Sequence, residues 1–461
     1  MKEDFPVATR AEYLSGDVTP KIRATLRRTR LDFGDVLIHM NDEAVIDDVL
    51  DPLVIETGYY VGAFQEPASI GTQSITAPGF HPTVLLILGV HQAVPGTAQN
   101  HHVCLYGMAC RDSVGTIYQS CTSWSGEHGA AYNAMDSRMR LVDTAVINTY
   151  YWDASTLNVA SLLSFDSTGF TLDWSVVSGS EVYLGYVAFG SSDIANAVIH
   201  QWLSRGSVGT KAITGVGFQP EFILNMGGGI FNALTGQRTT AYAGLGAKHS
   251  SYEFSVGDSM GHQYSLGPKG NSHNWSTNFH SLATPVGIPS TRTRIDCQSL
   301  DADGFTINEA VSPSFVYGHH ALCLDGGPAS LNMGYWTNGG GSPASFSVTG
   351  VGFQPDIVLF FGHKGILDAW WNSQGQMGLG MMDSNGNQFA VCGASNNDTT
   401  PSVATRVCHT DKCFTIMAPD GTFQQQYAFK SMDVDGFSLY GYYNDAGHLY
   451  PFFYIAIKVA S

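Results

Sequence analysis

The unbroken string TGVGFQP occurs twice in the chain, within KAITGVGFQPEFIL at residues 211–224 and within FSVTGVGFQPDIVL at residues 346–359. A weaker third copy, QSITAPGFHPTVLL, occupies residues 73–86. The glycines of the three copies lie 138 and then 135 residues apart, and a fixed period is the signature of repeat architecture. All three copies share a glycine, a phenylalanine and a proline: Gly79, Phe80 and Pro82; Gly217, Phe218 and Pro220; Gly352, Phe353 and Pro355.

A second motif follows each copy of the first. It reads DSTGFTL at 166–172, DADGFTI at 301–307 and DVDGFSL at 433–439, and its glycine lies 90, 87 and 84 residues after the first glycine. Two further elements keep the same order: a glycine segment that begins at Gly107, Gly244 and Gly378, and a strand-like segment at 183–189, 317–324 and 453–459. The repetition of four elements predicts three tandem copies of one module. The second motif contributes these structural positions: Gly169 and Phe170, Gly304 and Phe305, Gly436 and Phe437.

The composition of each module predicts β-strands. The residues after each GFxP motif are apolar and often β-branched, as in TVLLIL at 83–88, and helical periodicity is nearly absent past residue 60. Proline cannot donate to a strand ladder, so each strand should begin at or after the proline. The glycine fits a tight turn, and the phenylalanine is predicted to plug the core.

We therefore expect an all-β chain of three tandem jelly-roll-like β-sandwich modules at 58–195, 196–330 and 331–461, behind a short N-terminal arm at 1–57.

The arm carries no copy of the repeat. It contains an acidic, partly apolar stretch at 42–51 that predicts a short helix ending before Pro52. It also contains a basic cluster that predicts anchoring to an acidic surface, although a solvated face fits the charge pattern equally well. The cluster consists of Lys21, Arg23, Arg27, Arg28 and Arg30.

The charge balance excludes nucleic acid as the main partner. The formal net charge is −17, and phosphate contacts need lysine and arginine. The sequence contains no apolar run of about 18 residues, so no membrane span is predicted. The N-terminus also lacks the apolar core of a signal peptide. Charged residues make up only 13% of the chain, which suits turn-rich β structure packed against neighbours.

The sequence offers little support for a metal site or a cofactor, and none is predicted. The eight cysteines form no CxxC pair, so free, buried thiols are expected. The second motif resembles a calcium loop only in part, because its glycine comes too early and Thr168 replaces one aspartate. A turn explains all three copies. The adjacent pairs His101-His102 and His319-His320 would point to opposite faces of a strand and could not easily share an ion.

No catalytic constellation stands out, and the chain is expected not to be an enzyme. It has no GxSxG elbow and no P-loop. Tryptophans between the motifs could stack on sugars or anchor an interface, although partial burial under long loops is the simpler expectation. They are Trp124, Trp152, Trp275, Trp336, Trp370 and Trp371.

The repeated TGVGFQP[DE] string and the later DxDGF turn resemble modules of structural proteins from tailed bacteriophages. The resemblance covers about residues 58–461 and is weakest in the first module, where APGFHP replaces GVGFQP. It implies β-sandwiches of tail fibres, head decorations or related appendages, with no catalytic residues.

Three hypotheses follow. The first is a virion structural protein made in the host cytoplasm, with other virion proteins as partners, as a homo-oligomer or a pseudo-trimeric single chain. The second is an adhesin that binds a receptor or a host-surface glycan through its loops. The third and weakest is a polysaccharide-degrading enzyme.

Overall fold

The computed structural model describes most of the chain after residue 57. The described residues are 58–129, 137–153, 155–192, 194–238, 241–260, 272–283, 291–312, 316–326, 330–337, 344–363, 370–371, 374–396, 403–444 and 451–459. All of them belong to the unit Glu56–Ser461. The predicted arm, its helix and its basic cluster (Lys21, Arg23, Arg27, Arg28 and Arg30) lie outside the described residues.

The described residues form strands and contain no helix, which confirms the all-β prediction. Accordingly, none of them forms a helix with the length and apolar character needed to cross a membrane. The strands fall into three groups of eleven, which we call repeats 1, 2 and 3.

The strands of repeat 1 are β1 Gly58–Gln65, β2 Gly71–Ile75, β3 Val84–Gly89, β4 Gln99–Asn100, β5 His102–Arg111, β6 Ile117–Gly126, β7 Ser137–Val142, β8 Ile147–Tyr150, β9 Thr156–Asp166, β10 Gly169–Val176 and β11 Tyr183–Gly190. Those of repeat 2 are β12 Asn196–Leu203, β13 Gly209–Thr214, β14 Phe222–Phe231, β15 Gly236–Arg238, β16 Ala241–His249, β17 Tyr252–Met260, β18 Ser272–Ser276, β19 His280–Ala283, β20 Thr291–Asp301, β21 Gly304–Val311 and β22 Tyr317–Asp325. Those of repeat 3 are β23 Ser330–Thr337, β24 Phe346–Thr349, β25 Ile357–His363, β26 Trp370–Trp371, β27 Gln374–Asp383, β28 Gln388–Asn396, β29 Ala404–His409, β30 Phe414–Met417, β31 Phe423–Asp433, β32 Gly436–Asn444 and β33 Pro451–Lys458.

Each repeat is sandwich-like and contains two antiparallel sheets in the same strand order. In repeat 1, the larger sheet contains β1-β11-β3-β5-β6-β7 and the smaller contains β2-β10-β9-β8. Adding eleven to each strand number gives the sheets of repeat 2, and adding eleven again gives those of repeat 3.

The fourth strand of each repeat leaves its own repeat. β15 of repeat 2 pairs with β7 of repeat 1, and β26 of repeat 3 pairs with β18 of repeat 2. β4 of repeat 1 pairs with β29 of repeat 3. Each larger sheet therefore has seven strands, the seventh of which comes from the next repeat, and the exchange closes in a cycle.

Two kinds of hydrophobic core follow from this order. One core lies between the two sheets of each repeat, and a further core contains residues of all three repeats. Phe254 of repeat 2, for example, lies 4.4 Å from Phe453 and 5.4 Å from Phe361 of repeat 3, measured between ring centroids. Tyr106 of repeat 1 also contacts Phe361.

The strand after each GFxP motif serves both cores. In β3, Leu86 and Leu88 face the shared core, whereas Leu85 and Ile87 face the core of repeat 1. Alternate side chains of a strand point to opposite faces, so an unbroken apolar run is needed to fill both sides. The run is fully buried, as the sequence predicts.

The motif prolines and glycines occupy their predicted places. The strands β3, β14 and β25 each begin two residues after the proline. Gly79, Gly217 and Gly352 have φ angles of 75°, 89° and 89°, in the left-handed region that favours glycine.

The predicted role of the GFxP phenylalanine is correct only in repeat 1. Phe80 is buried, but Phe218 and Phe353 are half-buried at the rim of their cores. The physical reason lies two residues earlier, where Val216 and Val351 fill the core in repeats 2 and 3.

The buried motif phenylalanine in all three repeats is instead that of the second motif. Phe170, Phe305 and Phe437 are all 0% exposed. They are the residues that plug the core between the two sheets of their repeats.

The glycine segment recurs on equivalent strands, β5, β16 and β27, as predicted, but its first glycines are not structurally equivalent. Strand pairing places Gly107 in register with Gly246 and Gly380, not with Gly244 and Gly378. At each of these three positions a Cβ would lie within 2 Å of a backbone oxygen of the smaller sheet or the loop before it. The two sheets therefore approach so closely at this position that only glycine fits.

Candidate functional site

The two sequence motifs meet in space in repeats 2 and 3. The carboxylate of Asp303 accepts hydrogen bonds from the backbone N–H groups of Gly215, at 3.0 Å, and Gly217, at 2.7 Å. These bonds hold the pKa of Asp303 below its usual value. Gln219 adds a bond from its side-chain amide to the carbonyl oxygen of Leu300.

Repeat 3 reproduces this arrangement. Asp435 accepts from Gly350 at 3.0 Å and from Gly352 at 2.6 Å, and the side chain of Gln354 donates to the carbonyl oxygen of Met432. The GFQP loop is thus fastened to the DxDG turn. This contact explains why the two motifs keep step along the chain.

Repeat 1 lacks the carboxylate and one of the two glycines of this arrangement. Ala77 stands where the other repeats have glycine, and Thr168 stands where they have the second aspartate. The N–H of Gly79 donates instead to the backbone oxygen of Thr168, at 2.9 Å. The two departures go together, because the first of the two left-handed glycines and the carboxylate that binds it are both absent from repeat 1.

The first aspartate of the second motif has the same role in all repeats. Its two carboxylate oxygens each accept from a hydroxyl, as Asp301 does from Ser299 and Thr306 at 2.7 Å. Asp166 and Asp433 form the equivalent pairs of bonds. These oxygens serve the turn, in agreement with the turn interpretation. Among the described residues, no three His, Cys, Asp or Glu side chains are arranged to hold a metal ion.

His319 and His320 point to opposite faces of β22, as predicted, whereas His101 precedes β5 and only His102 of that pair lies on a strand. The ring of His319 stacks on Trp202 at 4.0 Å inside repeat 2, whereas His320 bonds to Ser120 of repeat 1. Burial lowers the pKa of His320 to about 4, so the ring is neutral at neutral pH. This pair therefore joins two environments and does not form one ligand set.

A buried polar layer lies where the three repeats meet. Strand pairing places Trp124, Asp258 and Gly393 at equivalent positions in the three repeats, three residues beyond the partners of the close-approach glycines. The indole N–H of Trp124 donates to a carboxylate oxygen of Asp258 at 3.2 Å. His102 fills the space at Gly393, where a Cβ would lie 2.2 Å from the imidazole. We call these four residues the axial layer.

The electrostatics of the axial layer differ from those of an ion pair. The imidazole of His102 lies 3.5 Å from a carboxylate oxygen of Asp258, and both side chains are 0% exposed. Burial, together with the charge of Arg406, nevertheless lowers the pKa of His102 to about 3. His102 is therefore neutral at neutral pH and meets the carboxylate as a dipole.

Arg406 holds the strand that closes the cycle. It lies on β29, is 7% exposed, and donates to the backbone oxygens of His91, Asn100 and His101 in repeat 1. A further nitrogen lies 3.4 Å from the side-chain oxygen of Gln99. We call this contact between β4 and β29 the closing interface, because repeats 1 and 3 are not consecutive in the chain.

The predicted aromatic and thiol sites divide as follows. Trp124 is buried, and Trp152 and Trp336 are half-buried, which agrees with the expectation that these tryptophans are at least partly buried. Trp152 stacks on His101 beside the closing interface, at 5.6 Å. The side chains of Trp275, Trp370 and Trp371 lie outside the described residues. All eight cysteines are free and buried, as predicted.

Comparison of the chain with models of known protein families, with curated proteins and with solved structures finds no match.

Proposed function

We propose that this chain is a structural component of a bacteriophage virion, a decoration, fibre or collar-type protein that acts without catalysis. The observation that carries the proposal is the cyclic exchange of β4, β15 and β26, by which three repeats of one chain complete one another. Such a chain has the symmetry of a trimer without needing three copies. One copy therefore fits a threefold or quasi-threefold position in a symmetric particle.

In this proposal the repeats are tandem jelly-roll-like β-sandwich modules at 58–195, 196–330 and 331–461. The common strand order and the core between the two sheets of each repeat support this assignment. The axial layer supports the single-chain form. Three identical chains would place three copies of Trp124, or of Asp258, at one position, whereas a single chain combines an aromatic, a carboxylate and a glycine.

Attachment to other virion proteins is assigned to the arm at 1–57. The chain has a net charge of −17 and does not need this basic cluster for its solubility. The cluster would instead complement an acidic surface on a neighbouring protein. The protein would be made in the host cytoplasm and act in the virion.

The test is incorporation into particles produced in infected cells. Purified particles are compared for the full-length protein and for a variant in which Lys21, Arg23, Arg27, Arg28 and Arg30 are replaced by glutamine. We expect the unmodified protein at a fixed copy number per particle and the variant folded but depleted from particles. Deletion of residues 1–55 should have the same effect.

Two results would contradict the proposal. Absence of the unmodified protein from purified particles would exclude a virion component. Full incorporation of both arm variants would exclude the arm as the anchor. Release of products from capsular polysaccharide would instead favour the enzyme hypothesis.

A further inference from the structure

Among the residues whose exposure the structure describes, the strongly exposed aromatic side chains all lie in repeat 3. They are Tyr335, Tyr440, Tyr442 and Tyr443, which are 46–51% exposed. The large apolar side chains exposed in repeats 1 and 2 are aliphatic. Three of the four tyrosines are on β32, in the smaller sheet, and we call Tyr440, Tyr442 and Tyr443 the tyrosine face.

An irregularity in strand pairing brings the three rings to the outside. Gly441 pairs with Tyr427, but Tyr443 pairs with Gln426, so Tyr442 is an extra residue on β32. Such a bulge changes which side chains point outward. Tyr427 lies in the core beneath, and the residues around Gly441 project away from it.

The other two repeats show that the fold does not need these rings. The same register shift occurs in β10 and β21. Asp173 and Asn308 stand at the position of Tyr440, and Ser175 and Ala310 stand at the position of Tyr442. The third position, that of Tyr443, holds valine in both. Exposed aromatic rings specific to one repeat therefore point to a ligand bound once per chain.

Two lysines accompany the tyrosine face. The ammonium group of Lys430 lies 5.6 Å from the ring centroid of Tyr440, and that of Lys412 lies 4.4 Å from the centroid of Tyr442. Lys412 is also paired with Asp411 at 2.5 Å, whereas Lys430 is exposed. Cation–π contacts of this kind hold the rings in place, and the exposed Lys430 adds positive charge at the surface.

We propose that the tyrosine face binds an acidic polysaccharide. A row of rings on a sheet surface offers apolar faces for sugar rings and hydroxyls for hydrogen bonds, and it suits an extended chain. Lys430 complements a carboxylate or sulfate of that chain. Protein interfaces, in contrast, are depleted in lysine. The inference is independent of the virion role and differs from a loop-borne site, because the residues are on a strand.

The experiment is affinity electrophoresis of the full-length protein through gels that contain an acidic polysaccharide, either polygalacturonate or polysialic acid, with neutral dextran for comparison. The test variant is Tyr440→Asn, Tyr442→Ala, Tyr443→Val, which installs the residues that repeat 2 has at the same positions and so should fold. The matched control is Tyr335→Ala, which removes an equally exposed tyrosine outside the tyrosine face.

We expect an acidic polysaccharide to retard the unmodified protein and the Tyr335→Ala variant. The affinity of the triple variant should be lower by a factor of about ten or more. Lys430→Gln should weaken binding to the acidic chain, and added salt should do the same. The proposal is overturned if neither acidic polysaccharide retards the unmodified protein, or if the triple variant binds as tightly as it. Loss of particle incorporation by the triple variant, with no polysaccharide binding by the unmodified protein, would assign the face to a protein neighbour.

Discussion

Single side chains in the motifs carry unequal weight, and the repeats themselves provide the comparison. The sequence identifies both motif phenylalanines but gives no sign of which is deeper. Phe305 is fully buried between the sheets of repeat 2, whereas Phe218 lies half-buried at the edge of the same core. The difference arises because Val216 already occupies the inner place, which only the packed structure reveals.

A direct consequence concerns stability. We expect Phe305→Ala to lower the free energy of unfolding by about 3–5 kcal/mol, since it leaves a cavity. Phe218→Ala should cost less, about 1–2 kcal/mol, because less apolar area leaves water when this ring packs. Urea unfolding followed by circular dichroism measures both. Equal losses for the two variants would contradict the assignment of the core plug.

Strands differ in how far they can be predicted. The apolar strands β3 and β25 are visible in the sequence, because both of their faces are buried and the apolar run is unbroken. The exchanged strands are not. β4, β15 and β26 have only two or three residues and no common pattern: QN, GQR and WW. Their pairing is decided by the repeat that receives them, so no local signal could have found the cycle.

The closing interface gives an element-scale prediction. Arg406→Met should leave the backbone oxygens of His91, Asn100 and His101 without this donor, at a cost of about 1–3 kcal/mol for each group left unsatisfied. Hydrogen exchange read by mass spectrometry should then rise in residues 99–101 and 404–408. The matched control is Arg140→Met on β7, since Arg140 bonds within repeat 1, to Thr156. Unchanged exchange at 99–101 in Arg406→Met would show that the guanidinium does not hold the strand.

At the scale of the whole molecule, the sequence predicts three repeats but not what joins them. The axial layer is an example. Trp124, Asp258 and Gly393 are unlike residues in segments that do not align by eye, and they become equivalent only through the strand register. The sequence likewise gives no sign of the tyrosines of repeat 3, which are the strongly exposed aromatic side chains among the residues whose exposure the structure describes. Surface residues outside the motifs are free to diverge, so the repeat pattern carries no information about them.

Buried neutral histidines should make the whole unit sensitive to acid. Burial lowers the pKa of His102 and His280 to about 3 and lowers that of His319 well below its usual value. In the unfolded chain these groups titrate near the ordinary value of about 6.5. Their stabilising contribution is therefore complete above pH 6.5 and is lost as the pH falls, by about 1.4 kcal/mol per pH unit for each histidine. Glu253 opposes this trend, because its pKa is raised to about 7 and its contribution falls as the pH rises from about 4.5.

Urea unfolding at pH 7, 6 and 5 tests the sign. We expect the free energy of unfolding to decrease as the pH is lowered from 7 to 5, since the effect of three histidines outweighs that of one glutamate. His280→Gln should reduce the slope by about 1.4 kcal/mol per pH unit below pH 6. A stability that is flat or that rises toward pH 5 would contradict the neutral, buried state of these histidines.

The central claim, that one chain closes on itself through exchanged strands, is tested most directly by a disulfide across β4 and β29. Asn100 and Thr405 are direct partners in this antiparallel pair, and such partners have Cα separations of roughly 4.5–5.5 Å, within reach of a disulfide. The double variant Asn100→Cys, Thr405→Cys is oxidised and analysed by peptide mass spectrometry and light scattering, with Asn100→Cys alone as the control. We predict a disulfide between positions 100 and 405 of the same chain, in a protein whose mass by light scattering is that of one chain. Bridges between different chains, or none at these positions, would contradict the closed single-chain cycle.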